Sequence, residues 1–338
     1  MDGEVSVLLH CAAWGGLLES QVQVELSESF NRQTVSFLER QIGEVWTERV
    51  SKQPWLFNGC KFRLHSFCLA GSTSIPSSFL SPEHPRRTHS PPVGNAELTE
   101  DDETEPLLTL RLGLTCYKDF LGTNWSSRAS QLRQLGEAQF GDPLALLAQP
   151  LGVGAILCTA DSQVVFIRRS QRVAEAGGLL DIPGGHPEPK AVCELLGRMV
   201  CEEQITVDMM QQRPVVSELF SSVCTEIKDE VNIPLGALRK PILMGVALNH
   251  TSAGRPSAEF YVSCSMTSND VRRLYWKGGA EAQESTDIVF LSRREVLQLD
   301  VSSSLWSEMC PSAKGAVLLY QTVKPDEDEG TAGVTTTS

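Results

Sequence analysis

The chain carries three acidic side chains, Glu226, Asp229 and Glu230, within five consecutive residues. On a helix, Glu226 and Glu230 are one turn apart, and Asp229 lies between them on the same side. Like charges at this spacing destabilise a helix, so a bound cation would offset their repulsion. Carboxylate oxygens suit Mg²⁺, although an acidic helix face can also simply be solvated. The pattern therefore predicts a helix with an acidic side that can bind a metal ion.

A Gly far upstream gives this acidic cluster its context. Together, Gly185 and the stretch from Glu226 to Glu230 resemble the signature of the Nudix hydrolase family. Three features depart from that signature. Thr225 replaces an Arg, Asn232 replaces a Gly, and Gly185 lies 41 positions before Glu226, about 26 more than in the family. We expect Asn232 to end the helix, because Asn tolerates the left-handed conformation found at helix ends.

Length and composition bound the fold and the partners. A chain of 338 residues, 41% of them hydrophobic, can bury a large core and predicts two units. The net charge of −13 disfavours nucleic acids and anionic membranes as partners but allows a nucleotide ligand. The acidic start lacks the basic region of a secretory signal, and ten cysteines without a Cys-x-x-Cys pair are typical of reduced thiols. We expect an intracellular protein of the cytoplasm or nucleus.

Hydrophobic patterns divide the chain into a smaller α+β unit over 1–147 and a larger unit over 148–323. In the first unit, helical spacing over 35–50 and alternating apolar residues over 22–26 predict one helix and one of the strands. Between 71 and 106 the composition shifts to Ser, Pro and acidic residues, which predicts a disordered insertion. A disordered acidic tail is expected over 324–338.

The larger unit alternates apolar strand-like runs with a few helices, which predicts an α/β fold with a mixed sheet. The Nudix resemblance implies an α/β/α sandwich for this unit. Expected strands in it are 152–159, 163–169, 243–249, 258–264 and 288–291.

Long strings of residues in both units extend the resemblance to the Nudix enzymes that hydrolyse UDP-glucose and UDP-galactose. It implies Mg²⁺-dependent cleavage of the pyrophosphate bond of a UDP-sugar to UMP and hexose 1-phosphate. The strings are Gln53 to Phe57, Tyr117 to Ser127, Arg168 to Glu175, Pro183 to Pro189, Glu218 to Pro234, Thr251 to Arg255 and Pro311 to Ala316.

The same resemblance implies a site. Glu226 and Glu230 would hold Mg²⁺, with Asp229 as a third catalytic acid. Aromatic side chains would stack on uracil, a guanidinium would face the diphosphate, and carboxylates would accept sugar hydroxyls or ordered waters. The residues implied to bind the substrate are Phe57, Tyr117, Arg169, Ala174, Asp181, His186, Glu188 and Ser312.

Three functions remain open at this level. Thr225, Asn232 and the interrupted signature also fit a non-catalytic module that binds nucleotide sugars. A pyrophosphatase for ADP-ribose or dinucleotides would keep the chemistry and change the base pocket. The general base is equally open, with Glu188, Asp229 or another carboxylate as candidates.

Overall fold

The computed structural model describes residues 2–70, 106–171, 176–281 and 283–326. Apart from Pro106, the predicted insertion lies outside these residues, as does the predicted tail from 327 onward. Asp326, which was expected in that tail, is buried, pairs with Arg293 at 2.7 Å and accepts a hydrogen bond from Tyr320 at 2.8 Å. The packed chain therefore extends beyond the expected end at 323. No helix in the described ranges is long and apolar enough to cross a bilayer.

The strands and helices are numbered in chain order. The strands are β1 Val5–His10, β2 Val22–Leu26, β3 Cys60–Leu69, β4 Leu108–Cys116, β5 Gly152–Cys158, β6 Gln163–Arg169, β7 Leu180–Asp181, β8 Gly184–Gly185, β9 Ile242–Asn249, β10 Arg255–Ser263 and β11 Ser285–Ser292. The helices are α1 Ser36–Lys52, α2 Tyr117–Gly122, α3 Ala129–Phe140, α4 Pro189–Leu195, α5 Gln212–Val231, α6 Ser268–Tyr275, α7 Arg293–Gln298, α8 Ser304–Ser307 and α9 Pro311–Val323.

In the part of the chain that the structure describes, the larger sheet has eight strands. Its order is β1-β9-β10-β5-β6-β11, with the short β7 paired to β6 and the short β8 paired to β5. Strands β10 and β5 are parallel, and the other pairs are antiparallel. Every residue of β5 is buried, as its uninterrupted apolar run requires of a central strand. The mixed α/β sheet expected from the sequence is confirmed.

Helices cover both faces of this sheet. On one face, α5 buries apolar residues that recur every fourth position, and Phe220 packs edge-on against Phe260 of β10 at 5.0 Å. On the other face, α9 stacks Tyr320 on Tyr261 of β10 at 6.0 Å. The predicted α/β/α sandwich is therefore confirmed, with α5 as the helix that carries the acidic cluster.

A second sheet, ordered β2-β4-β3, covers the opposite side of α5. Val24 and Phe62 from this sheet share one apolar core with Val223 of α5 and Phe260 of the larger sheet. Because α5 is enclosed by two sheets, its orientation is set by packing along most of its length. This fixes the side on which its glutamates lie.

The predicted division at 147 and 148 is not tested by the architecture and stays a prediction. Strand β1 does not follow this division, because it pairs with β9 at the edge of the larger sheet. The first strand of the chain thus belongs with strands of the second predicted unit. The two sheets are also joined where the Leu151 N–H donates to the Phe62 carbonyl at 2.8 Å.

Candidate active site

A cavity of about 1210 Å³ is lined by residues from both predicted units. Backbone and side chains of β5, β8 and β10 form part of its wall, together with the start of α2 and of α9. Six of the residues expected at the site line this cavity: Tyr117, Arg169, Asp181, His186, Glu230 and Ser312.

Three glutamates on one side of α5 face the loop from Gly184 to Glu188. The Gly184 N–H donates to Glu230 at 2.9 Å, and the Glu188 N–H donates to Glu218 at 2.9 Å. Between them, the backbone N–H of His186 donates to Glu226. We call Glu218, Glu226 and Glu230 the glutamate row. Alternate N–H groups of one extended loop thus hold carboxylates that lie one or two helical turns apart.

Gly185 makes this arrangement possible. A Cβ on Gly185 would collide with the Glu226 carboxylate, and a Cβ on Gly184 would collide with the Val153 carbonyl. The loop therefore packs against α5 on one side and β5 on the other without room for side chains. The residues inserted between Gly185 and Glu226, which include α4, leave this contact intact, so the two halves of the interrupted signature meet in space.

The two departures inside the signature have different structural outcomes. Asn232 ends α5 with φ 65°, in the left-handed region, and its side-chain amide donates to the Leu274 carbonyl at 2.9 Å. The predicted helix end is confirmed. Thr225 is exposed, and within the described ranges its hydroxyl donates only to the Ser221 carbonyl, at 3.3 Å. Its side chain therefore supports none of the glutamates through a hydrogen bond.

The glutamate row holds negative charge in a poorly solvated place. Burial raises the pKa of Glu230 well above its ordinary value, and the nearby Glu226, Asp181 and Glu281 raise it further. Burial also raises the pKa of Glu226 to about 7, again with help from Glu281. A divalent cation would stabilise both carboxylates in their ionised form.

Two glutamates outside the signature complete an oxygen cluster. Glu230, Glu281 and Glu284 each offer one carboxylate oxygen, and these atoms lie within 4.8 Å of one another. The Glu281 N–H donates to the Asp229 carbonyl at 3.1 Å, so the end of α5 positions this segment. Carboxylate oxygens in such number fit a hard divalent cation. The sequence analysis missed Glu281 and Glu284, because they follow α6 in a segment without periodicity.

Asp229 lies outside this oxygen cluster, although its charge raises the pKa of Glu226 and of Glu281. Its carboxylate pairs with Lys228 at 3.5 Å, and it is not among the described residues that line the cavity. Glu226 does not line the cavity either, although its charge acts on Glu230. The predicted catalytic roles of Glu226, Asp229 and Glu230 remain predictions, with Glu230 the member nearest the cavity.

A second polar group in the cavity is internally neutralised. Arg169 pairs with Asp181 at 2.9 Å, and the Ser312 hydroxyl donates to the same carboxylate at 2.9 Å. Although burial lowers the pKa of Arg169, the charge of Asp181 more than offsets this effect and the net shift is upward. Arg169 is thus held as a cation on the cavity wall. The three predicted residues at β6, β7 and α9 meet in one cluster.

His186 and Glu188 flank the row on the loop. Burial lowers the pKa of His186 well below its ordinary value, with a further contribution from Lys61 and Arg255, so its imidazole is neutral. The Glu188 carboxylate is 55% exposed, lies 3.4 Å from the Lys61 amine, and is outside the described lining of the cavity. The loop thus carries a neutral imidazole that lines the cavity and an exposed carboxylate outside it.

The predicted aromatic residues differ in their exposure. Tyr117 lines the cavity and stacks on Phe120 at 6.4 Å. Phe57 is 70% exposed and is not among the described lining residues. Its loop is nevertheless fixed beside Tyr117, because the Tyr117 N–H donates to the Gly59 carbonyl at 3.1 Å. Ala174 lies outside the described residues, so both Phe57 and Ala174 stay predictions.

Glu259 is a buried acid of the cavity that the sequence analysis missed. It lies on β10 between apolar neighbours, and burial raises its pKa to about 8, offset in part by Ser257 and Arg255. A charged residue inside the apolar run from Ala258 to Val262 was a visible signal, since acids are almost never fully buried without a role or a partner.

Comparisons with known proteins cover nearly the whole chain. It is 50% identical over 325 residues to the mouse uridine diphosphate glucose pyrophosphatase NUDT22, a match that spans 96% of this chain and 93% of the mouse protein. It is 31% identical over 323 residues to Nudix hydrolase 9 of Arabidopsis thaliana, with 93% and 89% of the two chains covered. No protein-family model matches the chain.

Among solved structures, a NUDIX hydrolase from Alicyclobacillus acidocaldarius is 13% identical with a TM-score of 0.33, and the match covers 56% of this chain and 97% of that one. The assignment of the chain to a family rests on the two relatives that match over nearly the full length. At their identity and coverage, the chain belongs to the Nudix hydrolase family, together with the NUDT22 uridine diphosphate glucose pyrophosphatases.

Proposed function

We propose that this chain is a hydrolase that cleaves the pyrophosphate bond of UDP-glucose and UDP-galactose with Mg²⁺ as its cofactor. A water oxygen forms a new bond to one phosphorus of the diphosphate, and the bridging P–O bond breaks. The products are UMP and hexose 1-phosphate. The name of the full-length mouse relative supports the substrate, since that protein is a uridine diphosphate glucose pyrophosphatase.

One structural observation supports this chemistry most directly. Glu230 of the glutamate row lines the same cavity as Tyr117 and Arg169. The row supplies anionic oxygens for a divalent cation. Arg169 supplies a cation with a planar fork suited to phosphate oxygens, and Tyr117 supplies an aromatic face for a base. A nucleoside diphosphate sugar needs these three features in one pocket.

Glu226 and Glu230 would hold Mg²⁺, and the oxygens of Glu281 and Glu284 are placed to complete its ligands. Bound Mg²⁺ would neutralise the diphosphate and orient the attacking water. The chain's own residues bind and position the rest: Arg169, kept charged by Asp181, faces the diphosphate, and neutral His186 can donate one hydrogen bond to it.

The test is a product assay with UDP-glucose, UDP-galactose, ADP-ribose, NADH and coenzyme A, each with Mg²⁺ and with EDTA. We expect UMP and hexose 1-phosphate from the two UDP-sugars with Mg²⁺ and none with EDTA. Turnover only of ADP-ribose or a dinucleotide would replace the proposed substrate. Tight binding of UDP-glucose without products at any Mg²⁺ concentration would identify a non-catalytic binding module instead.

We also propose the cytoplasm or nucleus as the location of the protein. All ten cysteines are free, and six of them are buried in apolar surroundings. Free thiols in this number fit a reducing compartment. Localisation of a tagged chain to the secretory pathway would contradict this proposal.

A further inference from the structure

Glu259 combines complete burial with unused hydrogen-bonding capacity. None of its surface is exposed to bulk solvent, and neither carboxylate oxygen has a partner with full hydrogen-bond geometry within the described residues, although the Ser257 side chain is close enough to lower its pKa. Buried polar groups in folded proteins are almost always hydrogen-bonded, and each exception requires an explanation. The carboxyl group also lines the cavity of the candidate active site. A ligand in that cavity is therefore a candidate for the missing partner.

The neighbouring strands make room for this side chain. Glu259 lies opposite Gly154 on β5 and opposite Gly245 on β9, so glycine flanks it on both sides. A Cβ on Gly154 would meet the Glu259 carboxylate and the Ile182 side chain. The carboxyl group thus lies over the Cα of Gly154, in a space that any larger residue at 154 would fill. Gly154 also lines the cavity, whereas a Cβ on Gly245 would point toward Leu9 and Leu319.

The position of Glu259 relative to the cation site follows from strand pairing. Gly154 pairs with Gly184 of β8, and the Gly184 N–H holds Glu230. The Glu259 backbone is therefore two strand spacings, about 10 Å, from the loop that anchors the glutamate row, whereas its carboxyl group, which lies over Gly154, is about one spacing, roughly 5 Å, from that loop. This places the carboxyl group close to a diphosphate bound at the cation, although it is not among the described carboxylate oxygens that cluster with Glu230.

The opposite end of the same strand faces the aromatic part of the cavity. Alternate residues of β10 point to one face, and Arg255, Ser257 and Glu259 all line the cavity. Arg255 lies over the Phe120 ring at 5.6 Å, and that ring stacks on Tyr117. Arg255 and Glu259 are four residues, roughly 13 Å, apart along the strand. If the base of the ligand stacks near Tyr117, Glu259 is too far along the strand to contact the base and would contact another part of the ligand.

We propose that Glu259 is a specificity-determining residue that hydrogen-bonds hydroxyl groups of the hexose of a bound UDP-sugar. This inference rests on the proposed function and adds a role for a residue outside the glutamate row. A phosphate is a poor partner for an acid, because both repel each other when charged and Asp181 already adds negative charge nearby. A hydroxyl donates to a carboxylate and accepts from a carboxylic acid, so a polyol satisfies Glu259 in either form.

The test compares ligands with and without the hexose. Binding of UDP-glucose and of UDP to the full chain is measured by calorimetry in EDTA, where the proposed chemistry does not proceed. In Glu259→Leu we expect the affinity for UDP-glucose to fall about tenfold or more while the affinity for UDP stays within about twofold. Glu259→Gln, which keeps hydrogen-bonding groups, should lose less. Glu25→Gln, on β2 and paired with Arg111, is the matched control and should behave as wild type.

The outcomes are distinct. Equal losses for UDP and UDP-glucose would overturn the hexose assignment and place the contact on the nucleotide. Unchanged binding of both by Glu259→Leu and Glu259→Gln would overturn the contact altogether. If Glu259→Leu does not fold, the UDP-glucose to UDP ratio of Glu259→Gln decides alone. Wild-type protein that binds neither ligand and gives no UMP with Mg²⁺ would show instead that the proposed function had failed, and this inference with it.

Discussion

The glutamate row and the cavity-lining residues of β10, which we call the β10 wall, each place a buried glutamate at the same cavity. The two glutamates differ in their hydrogen bonds and in the charges around them. Glu230 is buried, and a backbone N–H fixes one of its oxygens at 2.9 Å. Glu259 is also buried, and neither of its oxygens has such a donor within the described residues. In the row, other carboxylates add repulsion; at β10, Asp181 and Arg255 act on Glu259 with opposite signs.

The two regions therefore need different binding partners. In the row, the geometry is complete and positive charge is missing, so a cation is the expected complement. At β10, Asp181 and Arg255 act on the acid with opposite signs and a hydrogen bond of full geometry is missing, so a neutral polar group is the expected complement. Removing charge should therefore damage the row most, and removing hydrogen-bonding capacity should damage the wall most.

The largest effect is expected from Glu226→Gln and Glu230→Gln. Gln keeps the volume and can still accept the loop N–H, but it removes one charge from a site whose cation needs it. Turnover of UDP-glucose should fall by orders of magnitude. The melting temperature without metal should stay the same or rise slightly, because burial and neighbouring acids already disfavour the ionised form of both carboxyl groups. Steady-state assays and thermal melts in EDTA measure both quantities. Near-normal turnover in both variants would contradict the placement of the cation.

A smaller effect is expected from Gly185→Ala, which disturbs the row without touching its charge. The new Cβ would collide with the Glu226 carboxylate, so loop and helix must separate slightly. We expect turnover to fall roughly ten- to a hundredfold, because small misplacements of reacting groups are costly. Gly236→Ala is the matched control, since nothing lies within 4 Å of its Cβ position. Equal activities of the two variants would show that the contact at Gly185 has no role in the reaction.

Much of the row could be predicted from sequence because it is local. Helical spacing placed Glu226 and Glu230 on one side, and the turn preference of Asn232 predicted the end of α5. The assignment of Gly185 and Glu226 to one signature came from the family resemblance, and their contact was not predicted, because no local pattern extends across an insertion of this length. The insertion itself lacked periodicity, so α4 was not foreseen.

The rest of the site depends on long-range packing. Glu281 belongs to the oxygen cluster, and its N–H donates to the Asp229 carbonyl at the end of α5, a contact between residues 52 positions apart. Glu259 carried a visible signal, an acid in an apolar strand, but its meaning came from two facing glycines on other strands. The exposure of Phe57 likewise depends on how a loop between α1 and β3 settles, which its aromatic character alone does not determine.

A modest, pH-dependent effect on stability is expected from Glu259→Leu. Burial raises the pKa of Glu259 from 4.5 to about 8. Between these values the folded protein binds a proton that the unfolded chain has released, so stability falls as the pH rises. The Leu variant has no carboxyl group at this position, so its stability does not fall with pH for this reason. Its melting temperature, measured in EDTA, should therefore exceed that of wild type by more at pH 8 than at pH 5.5. The charged neighbours Asp181 and Arg255 are unchanged, so a pH-independent difference would mean that Glu259 ionises normally.

The smallest effect is expected from Glu218→Gln, at the far end of the row. Glu218 lies eight residues, about 12 Å, from Glu226 along α5. It accepts the Glu188 N–H at 2.9 Å, and the amide oxygen of Gln can accept the same bond. Burial raises the pKa of Glu218, so loss of its charge costs the fold little. We expect kcat and KM for UDP-glucose within about threefold of wild type. If Glu218→Gln is instead the most damaged variant while Glu226→Gln keeps Mg²⁺-dependent activity, the cation does not bind at the end of α5. Its ligands must then be sought near Asp181, Glu188 or the inserted acids Glu194, Glu202 and Glu203.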